Sequence, residues 1–310
     1  MELSLLLAQK IAVMFIMLFC GFLIVKLRIL RAQDSRVLSL VCMNVVIPAM
    51  IINAFQLSCT PERLHDFLAL MAISVLSYIL FVVVTAVLKK PLRLRRIEQA
   101  SLLYTNCGNL ILPLVSSVFG PEMVFFATPF VCFQTITVWT HGRAMICGDG
   151  KADLKKIFLN LNVICTLLGL ALFIFKIELP PILGDACASL GGMVGPISML
   201  LTGMLIGGAD LKKVFSQRHA YLVSALRLIV YPLLLILVIR IFRLERFTSA
   251  PAIPMITLLA ASAPSATTVT NLAQVYNSDP EIAAAVNIIT MLFCIITMPL
   301  LNMVYQLVVL

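Results

Sequence analysis

Ten stretches of the chain are apolar over roughly the length of a membrane crossing: residues 8–27, 37–56, 67–88, 99–119, 123–145, 157–177, 182–208, 219–242, 252–276 and 282–309. A bilayer core takes a helix of about 20 apolar residues. Backbone N–H and C=O groups find no water in lipid, and none of these runs shows the two-residue alternation of a barrel strand, so they are satisfied only as helices. Composition points the same way, with 61% hydrophobic and 12% charged residues in a chain of 310. A soluble domain carries about 25% charged residues, so soluble enzymes and nucleic-acid binders are excluded. The expectation is an all-α polytopic membrane protein of ten transmembrane helices with little outside the bilayer.

The positive charges read as a topology signal. Of the 23 Lys and Arg residues, 16 lie in the loops after segments 1, 3, 5 and 7. Six lie on the opposite side: Lys10, Arg63, Lys176, Arg240, Arg243 and Arg246; Arg227 falls inside segment 8. Lys and Arg accumulate in cytoplasmic loops, so those four loops are expected in the cytoplasm and both termini outside. The net charge of +9 is thereby accounted for without a nucleic-acid partner. The nine cysteines are scattered, with no CxxC or Cys/His ligand spacing, so neither a disulfide framework nor a metal site is expected. No small-residue cleavage site follows the first apolar stretch, and basic residues come after it. A cleavable signal is therefore not expected.

Prolines suggest an internal repeat. Pro48 and Pro113 lie 65 residues apart, Pro196 and Pro264 lie 68 apart, and the half-to-half offsets are 148 and 151. A Pro-Glu pair precedes the last helix of each half, at Pro121-Glu122 and Pro280-Glu281. Five spans per half is an odd number, so the second copy enters the membrane from the opposite side. Two inverted five-helix repeats, residues 1–150 and 151–310, are an architecture of many secondary transporters.

Two segments carry the polar chemistry. Segment 4 reads Tyr104-Thr-Asn-Cys-Gly-Asn-Leu-Ile-Leu-Pro-Leu114. Pro113 removes a backbone donor and Gly108 weakens the helix further, and a broken helix survives in lipid only against protein or a water-filled cavity. Asn106 and Asn109 share one face; they either line that cavity or bind neighbouring helices. Segment 9 places Pro264 among small and hydroxyl residues, Ser265, Thr267 and Thr268 among them. Half-helices starting near Pro113 and Pro264 would turn their positive N-terminal ends toward an anion, with Ser265 and Thr267 as further donors.

No carboxylate falls deep within a segment: Glu98, Glu122, Asp185, Asp210, Asp279 and Glu281 lie at segment ends or in loops. An ion-coupled antiporter keeps an acidic group at the midplane, so a cation/proton antiporter of similar fold is the disfavoured alternative. No nucleophile is paired with a base or a metal site at depth, so an enzyme is not expected. Arg227 either snorkels to the surface or offers a cation to an anionic substrate. Gly191/Gly195 and Gly203/Gly207 have the spacing of close helix contacts.

The stretch Asn106-Cys-Gly-Asn-Leu-Ile-Leu-Pro-Leu114, with Phe119-Gly-Pro, Gln134 and Trp139-Thr-His-Gly142, resembles the auxin efflux carrier family, whose bacterial members include malate and malonate permeases. Ala263-Pro-Ser-Ala, Tyr276-Asn, Pro280-Glu-Ile and Thr297-Met-Pro-Leu300 keep the family's order, as do Gly21 to Leu30, Ile47-Pro-Ala49, Gly195-Pro196 and Gly203-Met204. The resemblance implies a homodimer of ten-helix protomers. Helices 1, 2, 6 and 7 would form a scaffold and helices 3–5 and 8–10 a mobile transport domain. Broken helices 4 and 9 would cross at Pro113 and Pro264, with Gly108 beside the crossing. The family's substrate-facing amide falls on Asn106 and a second on Asn162, with Ile47 beside them. Three departures stand out: Ile111 replaces a glycine common before the helix-4 proline, Asn160-Leu161 replaces Asn-Pro, and the long cytosolic loop of plant auxin exporters is absent.

The resulting expectation is a secondary transporter in the cytoplasmic membrane, surrounded by lipid and using no cofactor. It would move a small organic anion, a mono- or dicarboxylate such as malate or malonate, by elevator-type alternating access. A passive anion channel is the other alternative.

Overall fold

The computed structural model describes residues 2–148 and 159–309, and all regular secondary structure among them is helical. Lys151, Lys155 and Lys156, the first residues of the sixth apolar segment and the 150/151 repeat boundary lie outside the described residues. Among the described residues, seven helical runs are apolar and long enough to cross a membrane: α1 (Glu2–Lys26), α2 (Ala32–Ala54), α3 (Pro61–Lys89), α5 (Pro121–Cys147), α7 (Pro181–Gly208), α8 (Arg218–Phe242) and α10 (Pro280–Val308). Between them lie the shorter α6 (Leu161–Ile174) and two interrupted elements. The first is α4a (Arg96–Leu103) with α4b (Cys107–Phe119); the second is α9a (Ile253–Ala261) with α9b (Thr267–Val275). The protein is therefore an all-helical, polytopic membrane protein.

Local chemistry sets the boundaries. Thr60 caps α3 by accepting the Arg63 N–H at 3.3 Å, and Asn160 caps α6 by accepting from Asn162 N at 3.0 Å and Val163 N at 3.3 Å. Each cap satisfies donors that the helix cannot. Gly120, with φ of +102°, turns the chain between α4b and Pro121 in a conformation closed to other residues. Three prolines are accommodated by wide turns, whereas Pro129 and Pro299 lie within ordinary helix. The N–H of the residue before Pro48, Pro113 and Pro232 bonds back five residues, to Cys42, Cys107 and Leu226 respectively. Proline has no N–H and its ring collides with the carbonyl four residues back; one extra residue in the turn relieves both problems.

Packing between helices depends on small residues. A side chain on Gly21 would overlap the Leu200 carbonyl, and one on Gly203 would overlap the Leu18 carbonyl. At Gly207 a Cβ would lie 3.0 Å from Phe22 O. The backbones of α1 and α7 thus touch along a glycine seam, the packing role that the Gly203/Gly207 spacing predicts. Gly191 does the same for α7 against α2, where a Cβ would lie 2.9 Å from the Met50 Cα. Phe55, Phe67, Phe125 and Phe173 form one aromatic cluster joining α2, α3, α5 and α6, with centroids 4.9–5.3 Å apart where Phe125 meets the other three. These separations suit tilted and edge-to-face contacts.

Among the described residues three carboxylates are buried, Asp66, Glu98 and Glu245, and the first two lie in the opening turns of long or interrupted helices. Asp66 of α3 accepts from Ser249 N at 2.7 Å and from its hydroxyl. Glu98 of α4a accepts from Arg95 N at 2.7 Å and meets His219 Nδ1 at 2.6 Å.

Candidate functional site

The two interrupted helices meet main chain to main chain. Thr105 and Ser265 form an antiparallel bridge, with Asn106 N–H donating to Pro264 O at 2.8 Å and Ala266 N–H to Tyr104 O at 3.0 Å. Each extended residue is clamped by the helix that follows it. Gln134 of α5 donates to Thr105 O at 2.9 Å and accepts from the Thr105 hydroxyl at 3.0 Å. Asn287 of α10 donates to Ser265 O at 2.7 Å, and the Thr290 hydroxyl accepts from Ser265 N at 3.1 Å. Breaks of this kind strand backbone groups, and here the carbonyls at residues 104, 105, 264 and 265 all find protein donors.

The break in the first interrupted helix falls at Tyr104–Asn106, seven residues before Pro113, which sits inside α4b behind its wide turn. Pro264 lies in the second break itself. The two helices therefore cross at Asn106 and Pro264, not at the two prolines. Nothing local forces Tyr104 to leave the helix; its extended conformation is held by pairing with Ala266, a tertiary partner absent from the local sequence.

A cavity of about 350 Å³ opens against this crossing. Asn106, Gly108 and Asn109 form one wall, with Thr267, Thr268 and Asn271 beside them on α9b. Ile47 and Met43 of α2, Leu201 and Leu205 of α7, and Asn160 and Asn162 at the start of α6 face them. Gln134, Thr135 and Trp139 of α5 also line the cavity, as do Ser39, Thr105 and Tyr276. The lining contains six side-chain amides and, among the described residues, no charged group. The first N–H groups of α4b and α9b, from Cys107, Gly108 and Asn109 and from Thr267 and Thr268, stand at helix starts, where no intrahelical acceptor exists. Both half-helices thus direct partial positive charge at the cavity.

The chamber is thus lined by amides at two helix starts and, among the described residues, by no charged side chain. Residues 6–302 match the profile of a family described as membrane transport protein. The chain belongs to that family. It is the auxin efflux carrier kind that the motifs resemble, and its members are membrane transporters rather than enzymes. Comparison with curated proteins found no match.

Within this membrane transport protein, Asn106, Asn109, Asn162, Thr267, Ile47 and Gly108 all reach the cavity. Ser265 does not; it lies in the bridge, and its buried hydroxyl has no partner. Pro113 and Pro264 also lie outside the lining. Arg227 neither snorkels nor faces the cavity. It is fully buried behind the crossing and donates to Leu102 O at 3.2 Å and Ala261 O at 2.6 Å. Asn162 has a buried carbonyl oxygen with no protein partner, whereas the Asn160 oxygen is spent on the α6 cap.

Sequence reasoning left out Gln134, Asn160 and Asn271 as site residues. Asn271 lies four and three residues after Thr267 and Thr268, a helical spacing that puts all three on one face. An amide such as Gln134 deep in an apolar run is itself a signal, because burying it without partners is costly. His141 is exposed near the end of α5 and has two tyrosine partners. Its Nδ1 lies 2.7 Å from the Tyr78 hydroxyl and 3.0 Å from that of Tyr104.

Proposed function

We propose that this protein is a secondary transporter that carries a small organic anion, a mono- or dicarboxylate such as malate or malonate, by elevator-type alternating access. One observation carries the reading: two helix N-termini converge on a cavity whose lining holds six amides and no charged side chain. Neutral donors and partial charges hold an anion firmly enough to select it and weakly enough to release it. Asn106 and Asn109 grip the carboxylate from α4b, Thr267 and Thr268 from α9b, and Asn162 faces them with Ile47.

The cavity lies between two groups of helices, which supports a scaffold of α1, α2, α6 and α7 and a moving unit of α3 to α5 and α8 to α10. α1 packs along α7, and both α6 and α7 pack on α2. Two inverted five-helix repeats and ten crossings accord with the pairing of Tyr104–Asn106 against Pro264–Ala266. The 160-residue offset between those breaks nearly equals the 159 between Pro121 and Pro280. The carrier sits in the cytoplasmic membrane with both termini outside, as its loop charges favour, and works as a homodimer, as the family resemblance implies.

A cation/proton antiporter fits less well. The lining offers no carboxylate among the described residues, and the carbonyls of both breaks are occupied by protein donors. Proteoliposome counterflow separates a carrier from a passive channel. Vesicles loaded with unlabelled malate or malonate should take up the labelled acid faster than empty ones, saturably. Flux that neither saturates nor responds to internal substrate would indicate a channel.

A further inference from the structure

Arg227 is the largest fully buried side chain among the described residues and carries a full charge. Among the described residues no carboxylate lies within ion-pair distance of it. Its partners are main-chain carbonyls, Leu102 O in the last turn of α4a and Ala261 O in the last residue of α9a. Its Nε has no hydrogen-bond partner, and the guanidinium carbon lies 5.7 Å from the centroid of the Phe81 ring. One cation therefore closes the C-terminal ends of both half-helices that stop at the crossing.

The charges can be followed through the crossing. A helix C-terminus carries about half a negative charge and an N-terminus about half a positive one. Four such ends meet here, two of each sign, and alone they would nearly cancel at a distance. Arg227 offsets the two negative ends and leaves the two positive ends of α4b and α9b unopposed toward the cavity. We propose that Arg227 is a positioning residue that makes the substrate cavity electropositive, without touching the substrate, by neutralising the C-termini of α4a and α9a. Its use in transport rests on the anion-carrier reading; its effect on the field does not.

A thiol placed in the cavity reads that field without a known substrate. Gly108 lines the cavity, and a Cβ built on it meets nothing within 4 Å, so Gly108→Cys is the reporter. In neutral detergent, its rates of modification by an anionic (sulfonatoethyl) and a cationic (trimethylammonioethyl) methanethiosulfonate are followed by peptide mass spectrometry. Their ratio is divided by that of free cysteine. A buried unit charge moves an anion and a cation in opposite directions, on the order of tenfold or more in this ratio. The expected result is a normalised ratio of about ten or above, lost in Arg227→Gln and retained in Arg227→Lys. Phe81→Glu, which sets a carboxylate beside the guanidinium, should abolish it as well and serves if Arg227→Gln does not fold. A purely structural role would change both rates together and leave their ratio alone. A ratio near one in the reporter itself, or one unmoved by neutralising Arg227, overturns the proposal. A high ratio in a protein that no carboxylate stabilises would sink the anion-carrier reading and leave the field assignment standing.

Discussion

Asn106 donates its main-chain N–H to the carbonyl of Pro264 over 2.8 Å while its side chain lines the cavity. One residue therefore ties the interrupted helices together and also presents an amide to the cavity. The first task belongs to the backbone and survives replacement of the side chain; the second does not. Assembly and binding can thus be separated at this position.

Gln134 holds the break in the first interrupted helix open. Gln134→Leu strands both the carbonyl and the hydroxyl of Thr105, at a cost of about 1–3 kcal/mol for each buried group. Thermal unfolding in neutral detergent should show a clear loss.

Two glycines predict opposite outcomes for the same kind of change. At Gly203 a Cβ would overlap the Leu18 carbonyl, so Gly203→Val should push α1 from α7 and destabilise by about 1–3 kcal/mol. At Gly108 there is open space, and alanine there should leave stability unchanged or raise it by up to about 1 kcal/mol. Melting curves of the two variants test the contrast.

Much of this was legible in the sequence, and the reasons it stopped are physical. Long apolar runs declared the helices because lipid leaves the backbone no other solution. The amides of α4b and the threonines of α9b announced themselves because polar groups at depth need a reason. The position of the first break was not legible: Pro113 is the obvious disruptor, yet a wide turn absorbs it, and the chain leaves the helix at Tyr104 to pair with Ala266. Arg227 was equally opaque, since its acceptors are the carbonyls of Leu102 and Ala261, on two helices distant in sequence.

Pro113 should therefore matter for binding more than for folding. In Pro113→Ala the wide turn at Cys107–Ile111 is free to relax to an ordinary one, which gains a backbone hydrogen bond and rotates Asn106 and Asn109 relative to α4b. The melting temperature should hold or rise while carboxylate affinity falls at least severalfold. Paired melting and ligand-titration measurements would show it.

Glu98 is buried with two partners, the Arg95 N–H and His219. His219→Ala leaves a buried carboxylate with one donor and should destabilise by about 1–3 kcal/mol. Glu98→Gln still accepts from Arg95 and donates to the imidazole, so it should cost less. Chemical unfolding of both variants checks the order.

The central claim is that the crossing binds an anion through neutral groups, and ligand-induced stabilisation of Asn106→Ala beside the wild type tests it most directly. A ligand that binds only the folded state raises its apparent stability according to concentration over Kd. With malate, malonate, acetate, indole acids, sodium and lithium as the panel, a carboxylate should raise the melting temperature of the wild type. The same carboxylate should not raise that of Asn106→Ala, whose unliganded melting temperature should match the wild type. Stabilisation by sodium or lithium alone, or an equal carboxylate shift in both proteins, would contradict the account.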